Sequence, residues 1–147
     1  MPIRFFYEEI EFKLPNPAKI KKWLTLSAKK EKRSIKEINF IFCSDSFLLA
    51  LNRDYLNHQT LTDIITFDES SGMAIAGEIY ISIDRVAENA HTFKCDFLEE
   101  LRRVMVHGVL HLCEYKDKRT AEKTVMRKKE ESYLSLWQKL FHVKRSK

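Results

Sequence analysis

The feature that most constrains the fold is one segment, DFLEELRRVMVHGVLHLCEY at residues 96–115, whose helical pattern is apolar over most of its circumference. Asp96 is suited to begin such a helix. A helix of this kind is normally buried by other elements on several sides. We therefore expect it at the centre of the fold. Its apolar positions are Leu98, Leu101, Val104, Met105, Leu110 and Leu112.

Four other segments have the composition of β-strands. They are rich in β-branched and aromatic residues and are bounded by proline, glycine, serine or aspartate. The sequence predicts a loop at residues 70–72, between the third and fourth strands. The predicted strands cover residues 3–9, 37–44, 62–69 and 77–83.

Further helices are predicted between these strands. Asn16 is expected to cap the first helix, with Pro17 at its first helical position. Ser44 or Asp45 is expected to cap the second helix, and Asp84 to begin the third. Their expected inward positions are Ile20, Trp23, Leu24 and Ser27, then Phe47, Leu48, Leu51 and Tyr55, then Val86, Ala87 and Ala90.

The last predicted helix spans residues 120–141, with its basic run 127–129 facing solvent and a loose basic tail at 143–147. A chain of 147 residues is the usual size of one domain. Because strands and helices intermix, we expect a single α+β domain over residues 1–147, with helices packed on a four-stranded sheet. The order of the strands does not follow from the sequence.

Charge is distributed in blocks along the chain. Residues 13–36 carry nine Lys/Arg and one Glu, whereas residues 61–100 carry nine Asp/Glu and two Lys/Arg. Residues 102–147 carry thirteen basic and five acidic side chains. Separated basic blocks are typical of proteins that meet a polyanion such as nucleic acid. The alternative is solvated helix faces that carry lysine for solubility.

The cysteines and the hydropathy pattern bear on location. Cys43, Cys95 and Cys113 are an odd number at wide spacing, which suits a reducing compartment rather than a disulfide framework. Cys113 is expected to pack in the core. No apolar run approaches the length of a membrane span, and the N-terminus is too charged for a signal peptide. We expect a cytoplasmic protein that contacts no membrane.

The central helix also carries the strongest chemical signal. His107 and His111 are four residues apart, so both imidazoles lie on one helix face and can bind one ion. Asp117 is the candidate third ligand. Two histidines and a carboxylate leave metal positions open, as catalytic sites do. The alternative is two hydrogen-bonded core histidines, with Asp117 pairing with a nearby surface lysine or arginine.

Gly108 separates this pattern from the zinc peptidases. Those enzymes place a glutamate base directly after the first histidine, and this chain has Gly108 there. A glycine inside a helix costs about 1 kcal/mol relative to alanine. We expect it to let a strand or a substrate approach beside His107.

Three motifs together resemble the YbeY endoribonuclease family. HGVLHLCEYKD at 107–117 resembles the family's metal-binding signature, H-G-x-L-H-L-x-G-Y-D-H. LNRDYLNHQTLTDIITF at 51–67 and GEIYIS at 77–82 resemble its other two motifs, in the same order. The resemblance implies a mixed four-stranded sheet and a single-metal hydrolase that acts on RNA. It also implies a role in ribosomal RNA maturation, chiefly at the small-subunit 3′ end.

The chain departs from the family pattern at three places. Asp117 stands where the family has its third histidine, and Glu114 where the family has a turn glycine. A left-handed backbone at Glu114 would cost about 1–2 kcal/mol. Leu56 stands where the family has an arginine expected to hold phosphate. Arg53 or His58 could replace that arginine, or could have ordinary surface roles.

These observations define the expected site. The resemblance implies one divalent ion, zinc in the first place, on His107 and His111, with Asp117 as third ligand. Arg53 and residues of the first predicted helix, in the basic block 13–36, are expected to hold the RNA backbone, with no nucleotide cofactor. Asp63 is expected near the metal with Thr62 and Thr66, either accepting a ligand-histidine N–H or capping. The alternatives are a non-catalytic RNA- or ribosome-binding assembly factor and another metal-dependent hydrolase.

Overall fold

A mixed four-stranded sheet is the scaffold on which the helices pack. The computed structural model describes residues 2–56 and 62–144. The strands β1, β2 and β4 are parallel, and β3 pairs antiparallel with β4 at one edge. This confirms the predicted α+β class. In spatial order the strands are β1 (Ile3–Glu8), β2 (Ser34–Cys43), β4 (Ala74–Ser82) and β3 (Ile64–Asp68).

Five helices pack on this sheet. They are α1 (Pro17–Lys30), α2 (Asp45–Leu56), α3 (Ile83–Phe93), α4 (Phe97–Leu112) and α5 (Thr120–Phe141). Side chains of α1, α4 and α5 form the main core with one face of the sheet. Leu48 of α2 packs with Cys43 and Ile65 in a smaller cluster. Strand alternation places those two sheet residues on the opposite face. Within the described residues, no helix is long and apolar enough to cross a membrane.

The central position predicted for α4 is confirmed. Five of its six predicted apolar positions are buried, from Leu101 through Leu112, whereas Leu98 is 38% exposed. Cys113, directly after the helix, is also buried, as expected. The helix ends at Leu112 instead of continuing to residue 115, because Glu114 adopts a positive φ of 76°.

Most of the other predicted helix features are confirmed. The four inward positions predicted for α1 are buried. Ser44 caps α2, since its Oγ accepts from the Phe47 backbone N–H at 3.1 Å. The bounds of α5 are those predicted.

Asn16 and Pro17 take their predicted places at the start of α1, although Asn16 is left-handed and makes no side-chain cap bond. Several other local predictions were wrong. The third helix is capped by Ser82 rather than begun by Asp84, and Ala87 on that helix is exposed. Tyr55 is 73% exposed. Strands β2 and β4 both begin earlier than predicted, because Ser34 pairs with Ala74 at their ends.

Close packing of α4 on the sheet depends on Gly108. A Cβ atom there would lie 2.9 Å from Ile79 Cγ2 and 3.0 Å from Ile64 Cδ1. The strands β3 and β4 therefore approach the helix at this residue, which confirms the packing role expected for the glycine. As a consequence, His107 lies beside the β3 edge of the sheet.

Candidate metal centre

Three side chains converge where α4 ends. His107 Nε2 lies 3.0 Å from His111 Nε2 and 3.1 Å from Asp117 Oδ2. His111 Nε2 lies 3.4 Å from the same carboxylate oxygen. The structure therefore brings together all three side chains that the sequence predicted as ligands.

The local turn after α4 returns Asp117 to the histidine face. The backbone N–H of Glu114 donates to His111 O at 3.0 Å, and that of Tyr115 donates to Leu110 O at 3.0 Å. These two bonds, with a left-handed residue at position 114, form the Schellman motif that ends many helices. Glu114 thus adopts the left-handed conformation in spite of its cost for a residue other than glycine.

The far side of each imidazole is held by an oxygen acceptor. His107 Nδ1 lies 2.6 Å from Glu130 Oε2, and His111 Nδ1 lies 2.9 Å from the backbone oxygen of Tyr115. A carbonyl oxygen only accepts, so the Nδ1 of His111 carries the hydrogen. Each Nδ1 donates outward, which leaves a Nε2 lone pair facing the common point when the ring is neutral.

This donor set fits a divalent metal ion. Two imidazole nitrogens and a carboxylate oxygen point at each other with no donor hydrogen between the neutral rings. Such lone pairs repel unless a cation or a proton lies among them. Ligands around a tetrahedral zinc ion, with bonds of about 2.0–2.1 Å, lie about 3.3 Å apart, close to the separations found here.

The surroundings favour positive charge at His107. Burial would lower the pKa of His107, but the hydrogen bond and charge of Glu130, with the charges of Asp117 and Asp63, raise it. Burial raises the pKa of Asp63, and the nearby His107 opposes that shift. The field that stabilises an imidazolium also stabilises a bound cation.

Glu130 is a residue of the candidate site that the sequence analysis missed. It is 6% exposed, and its second oxygen lies 3.3 Å from Arg103 Nη1. Asp63, one of whose expected roles was to accept a histidine N–H, accepts from Asn89 Nδ2 at 3.2 Å instead. A signal was present, because residue 130 falls on the buried stripe of α5. That stripe consists of Met126, Glu130, Tyr133, Leu134 and Trp137.

Arg103 supports Glu130 from the preceding helix. Its guanidinium also lies 2.6 Å from Glu131 and 3.4 Å from Glu100. Burial raises the pKa of Glu100 to about 7, although Arg103 opposes that shift. A buried carboxylate is stable only when paired, and Arg103 provides that pairing for Glu130.

The three candidate ligands lie in an open cleft of about 610 Å³. The β3 edge forms much of its wall, and Asn52 of α2 and Lys118 complete it. Thr62, Asp63 and Thr66, all expected near the metal, line the same cleft. A molecule in solvent can therefore reach the three candidate ligands through the cleft.

Arg53 and the basic run of α5 differ in part from expectation. Arg53 does not line the cleft, and its Nε lies 3.1 Å from Asp54 Oδ1 at the surface, so its role in binding RNA stays a prediction. In the run 127–129, Lys129 bonds Glu31 Oε2 at 3.0 Å rather than facing solvent freely. His58 and residues 145–147 of the predicted tail lie outside the described residues.

Comparison with known proteins decides the family. A sequence profile described as endoribonuclease YbeY matches residues 7–138. This chain belongs to the endoribonuclease YbeY family. The resemblance found in the three sequence motifs is confirmed.

Relatives within the family match this chain over nearly its whole length. A protein of Flavobacterium psychrophilum named endoribonuclease YbeY is 52% identical over 141 residues, covering 96% of this chain and 98% of that protein. The protein of the same name from Cytophaga hutchinsonii is 53% identical over 135 residues, covering 91% and 94%. The solution structure of TM1509 from Thermotoga maritima is 27% identical, with a TM-score of 0.65 and coverage of 94% and 91%.

Proposed function

We propose that this protein is a metal-dependent endoribonuclease that hydrolyses phosphodiester bonds in RNA. The observation that carries the proposal is the convergence of His107, His111 and Asp117 in an open cleft of a YbeY-family chain. We further propose ribosomal RNA as the substrate, chiefly at the 3′ end of the small subunit. The free thiols of Cys43 and Cys113 support a reducing, cytoplasmic location.

Zinc is the proposed metal. His107 and His111 would hold it through Nε2, and Asp117 through Oδ2. Two imidazole nitrogens with one carboxylate oxygen suit zinc, and three protein ligands leave a position for water or substrate. When bound, such an ion polarises a phosphate oxygen and makes a water molecule acidic enough to act as a nucleophile near neutral pH.

The chain's own residues orient the ligands and receive the substrate. Glu130 and the Tyr115 carbonyl hold the two Nδ1 hydrogens, which keeps both Nε2 atoms turned into the cleft. Lys118 is exposed on the cleft wall, where its ammonium can pair with a phosphate of the RNA. We propose that Arg53, next to the cleft residue Asn52, extends this contact along the backbone.

A non-catalytic RNA- or ribosome-binding assembly factor is the second candidate. Among the described residues that line the cleft, Lys118 is the one lysine or arginine. Leu56 also stands where the family pattern has an arginine. Fewer cations near the metal would weaken stabilisation of the charge on the phosphate during cleavage.

The test begins with metal content. Protein purified without a metal-binding tag is analysed by elemental mass spectrometry and assayed on single-stranded RNA. We expect about one divalent ion per chain, lost in Asp117→Ala and retained in the cleft control Asp68→Ala. His111→Ala is expected to abolish cleavage.

Each contrary result has a definite meaning. Cleavage that survives His111→Ala would come from a contaminating nuclease. A wild-type chain that stays empty when zinc is offered would overturn the enzyme proposal in favour of the assembly factor. Metal binding without cleavage of any RNA, including small-subunit precursor with an unprocessed 3′ end, would do the same.

A further inference from the structure

Two side chains from the connection between α1 and β2 bind the 113–117 turn, which leads from α4 to the candidate ligand Asp117. Tyr115 Oη donates to Glu31 Oε1 at 2.7 Å. Arg33 Nη2 donates to Glu114 Oε2 at 2.8 Å and to the Cys113 carbonyl at 3.3 Å. The turn residues in these contacts follow α4 directly and precede Asp117. Their partners Glu31 and Arg33 are distant from them in sequence.

Tyr115 connects these contacts to a ligand. Its hydroxyl is held by Glu31, and its backbone oxygen accepts the Nδ1 hydrogen of His111 at 2.9 Å. The ring orientation of His111 therefore depends on where Tyr115 sits. The chain then reaches Asp117 after a single further residue, so a displaced Tyr115 also displaces the carboxylate.

Arg33 acts on the strained part of the turn. Glu114 has a φ of 76°, a conformation that side chains other than glycine adopt only at a cost. Opening of the turn would relieve this conformational cost, so other contacts must stabilise the closed turn. Arg33, whose side chain is 14% exposed, provides such contacts to both the side chain of Glu114 and the carbonyl before it.

Glu31 is itself held firmly. Its side chain is 9% exposed and also accepts from Tyr133 Oη and from Lys129 Nζ. Both of these partners belong to α5, the helix that carries Glu130 behind His107. The two acceptors of the histidine N–H groups, Glu130 and the Tyr115 carbonyl, therefore belong to elements that Glu31 joins by hydrogen bonds.

We infer that Glu31 and Arg33 are positioning residues that set the metal affinity of the site by locking the 113–117 turn, in compensation for the glutamate at position 114. The inference rests on the proposed function, because it requires that the three ligands bind a metal ion. It assigns the two residues no contact with metal or substrate.

The first test compares two hydroxyl deletions. Tyr115→Phe and Tyr133→Phe each remove one hydrogen bond to Glu31, but only Tyr115 belongs to the turn. Zinc dissociation constants are measured by competition with a chromogenic chelator, and melting temperatures are measured on the metal-free proteins. We expect Tyr115→Phe to weaken zinc binding about 10-fold, the lower range for outer-shell partners of a ligand, and Tyr133→Phe to change it less than about twofold.

The second test uses rescue. Arg33→Gln is expected to weaken zinc binding about 10-fold. Adding Glu114→Gly should restore the affinity, because glycine adopts a positive φ without needing the hydrogen bonds of Arg33. Arg4→Gln is the matched control, since it also removes an arginine paired with a glutamate, Glu37 at 3.7 Å.

The outcomes separate this inference from the proposed function. A wild-type chain that binds no zinc would overturn the proposed function, and this inference with it. Wild-type binding with unchanged affinity in Tyr115→Phe and Arg33→Gln would overturn the positioning role alone. Equal losses in Tyr115→Phe and Tyr133→Phe, or no rescue by Glu114→Gly, would assign the effect to general destabilisation and also overturn it.

Discussion

Glu130 is charged at a position of α5 where the surrounding stripe is apolar, and its contact with His107 explains why. We predict that Glu130→Gln weakens zinc binding by about 10- to 100-fold, the usual range for loss of an outer-shell partner. The amide keeps an oxygen that can accept from His107 Nδ1, but it loses the charge that makes this bond strong. A zinc competition titration measures the effect.

Glu131→Gln is the control for that substitution. Glu131 also pairs with Arg103, at 2.6 Å, but its side chain is 38% exposed, whereas that of Glu130 is buried behind His107. It is expected to leave zinc affinity within about twofold, well below the effect of losing an outer-shell partner. Equal affinities of the Glu130 and Glu131 variants would show that the Glu130 charge does not tune the site.

Those parts of the site that depend on residue spacing within one helix could be predicted from the sequence. The four-residue spacing of His107 and His111 fixes a common helix face. The placement of Asp117 depends on the turn at Glu114, whose conformation the sequence alone disfavours. Glu130 comes from a different helix, and a contact between α4 and α5 has no signature in residue spacing.

At the scale of elements, two glycines lie where neighbouring elements pack closely against the backbone. We expect alanine to be tolerated differently at the two positions. A Cβ on Gly77 would meet the backbone oxygen of Phe67 in the paired strand β3, and that oxygen cannot move without breaking the β3–β4 pairing. A Cβ on Gly108 would meet side-chain atoms of Ile79 and Ile64, which can adjust.

We therefore predict that Gly77→Ala destabilises the protein by about 3 kcal/mol, the upper part of the range for overpacking. Gly108→Ala should cost only about 1 kcal/mol, because the isoleucine side chains can adjust and limit the overpacking to about 2 kcal/mol, of which the higher helix propensity of alanine offsets about 1 kcal/mol. Urea unfolding of the metal-free proteins measures both values. The reverse order would show that α4, rather than the strand pair, is the rigid element.

The junction of α1, α5 and the turn after α4 should give the protein a stability component that depends on pH. Burial would raise the pKa of Glu31, but hydrogen bonds from Tyr133, Tyr115 and Lys129 outweigh it and hold the pKa below the ordinary value of 4.5. The folded state then binds this proton less readily than the unfolded chain. The contribution of the Glu31 charge to the free energy of unfolding is present above pH 4.5 and is lost as pH falls through the folded pKa.

Glu31→Gln is expected to lower stability by about 1.5–3 kcal/mol at neutral pH, the range for hydrogen bonds to a charged group. The difference from wild type should narrow as the pH is lowered below the ordinary pKa of a glutamate. Urea unfolding across a pH series measures it, with the exposed Glu88→Gln as control. A difference that stays constant down to acid pH would contradict the role of the Glu31 charge.

Element bounds were predictable where capping and periodicity agree, as for α5. They were wrong where tertiary contacts extend or cut an element. The strands β2 and β4 extend each other through the pairing of Ser34 with Ala74. The helix α4 stops early because Glu114 turns left-handed, a conformation whose stabilising partner Arg33 lies elsewhere in the sequence.

At the scale of the whole molecule, strand order could not be predicted, because it is set by pairings between distant segments. The chain places β4 between β2 and β3, which makes β3 an edge strand. That placement creates the cleft, since the same strand lines it alongside the end of α4. The site thus depends on strand order, a feature of the fold that local patterns do not encode.

The charge blocks of the chain meet at this cleft, and their effect on RNA binding can be tested. Acidic residues of the β3 region, such as Asp63 and Asp68, line the cleft together with Lys118 from the basic C-terminal block. If RNA lies in the cleft, its affinity should fall as salt rises, because each phosphate contact releases counterions. The logarithmic salt slope for single strands changes by about 0.7 for each contact.

We predict that Lys118→Gln makes the salt slope shallower by about 0.7 and weakens binding of all RNA sequences alike. Lys139→Gln removes the same charge near the far end of α5, about 28 Å along the helix from Thr120, and should leave the slope unchanged. Fluorescence anisotropy with a single-stranded RNA over a salt series measures both slopes. An unchanged slope in Lys118→Gln, or an equal change in Lys139→Gln, would mean that the RNA backbone does not lie across the metal cleft.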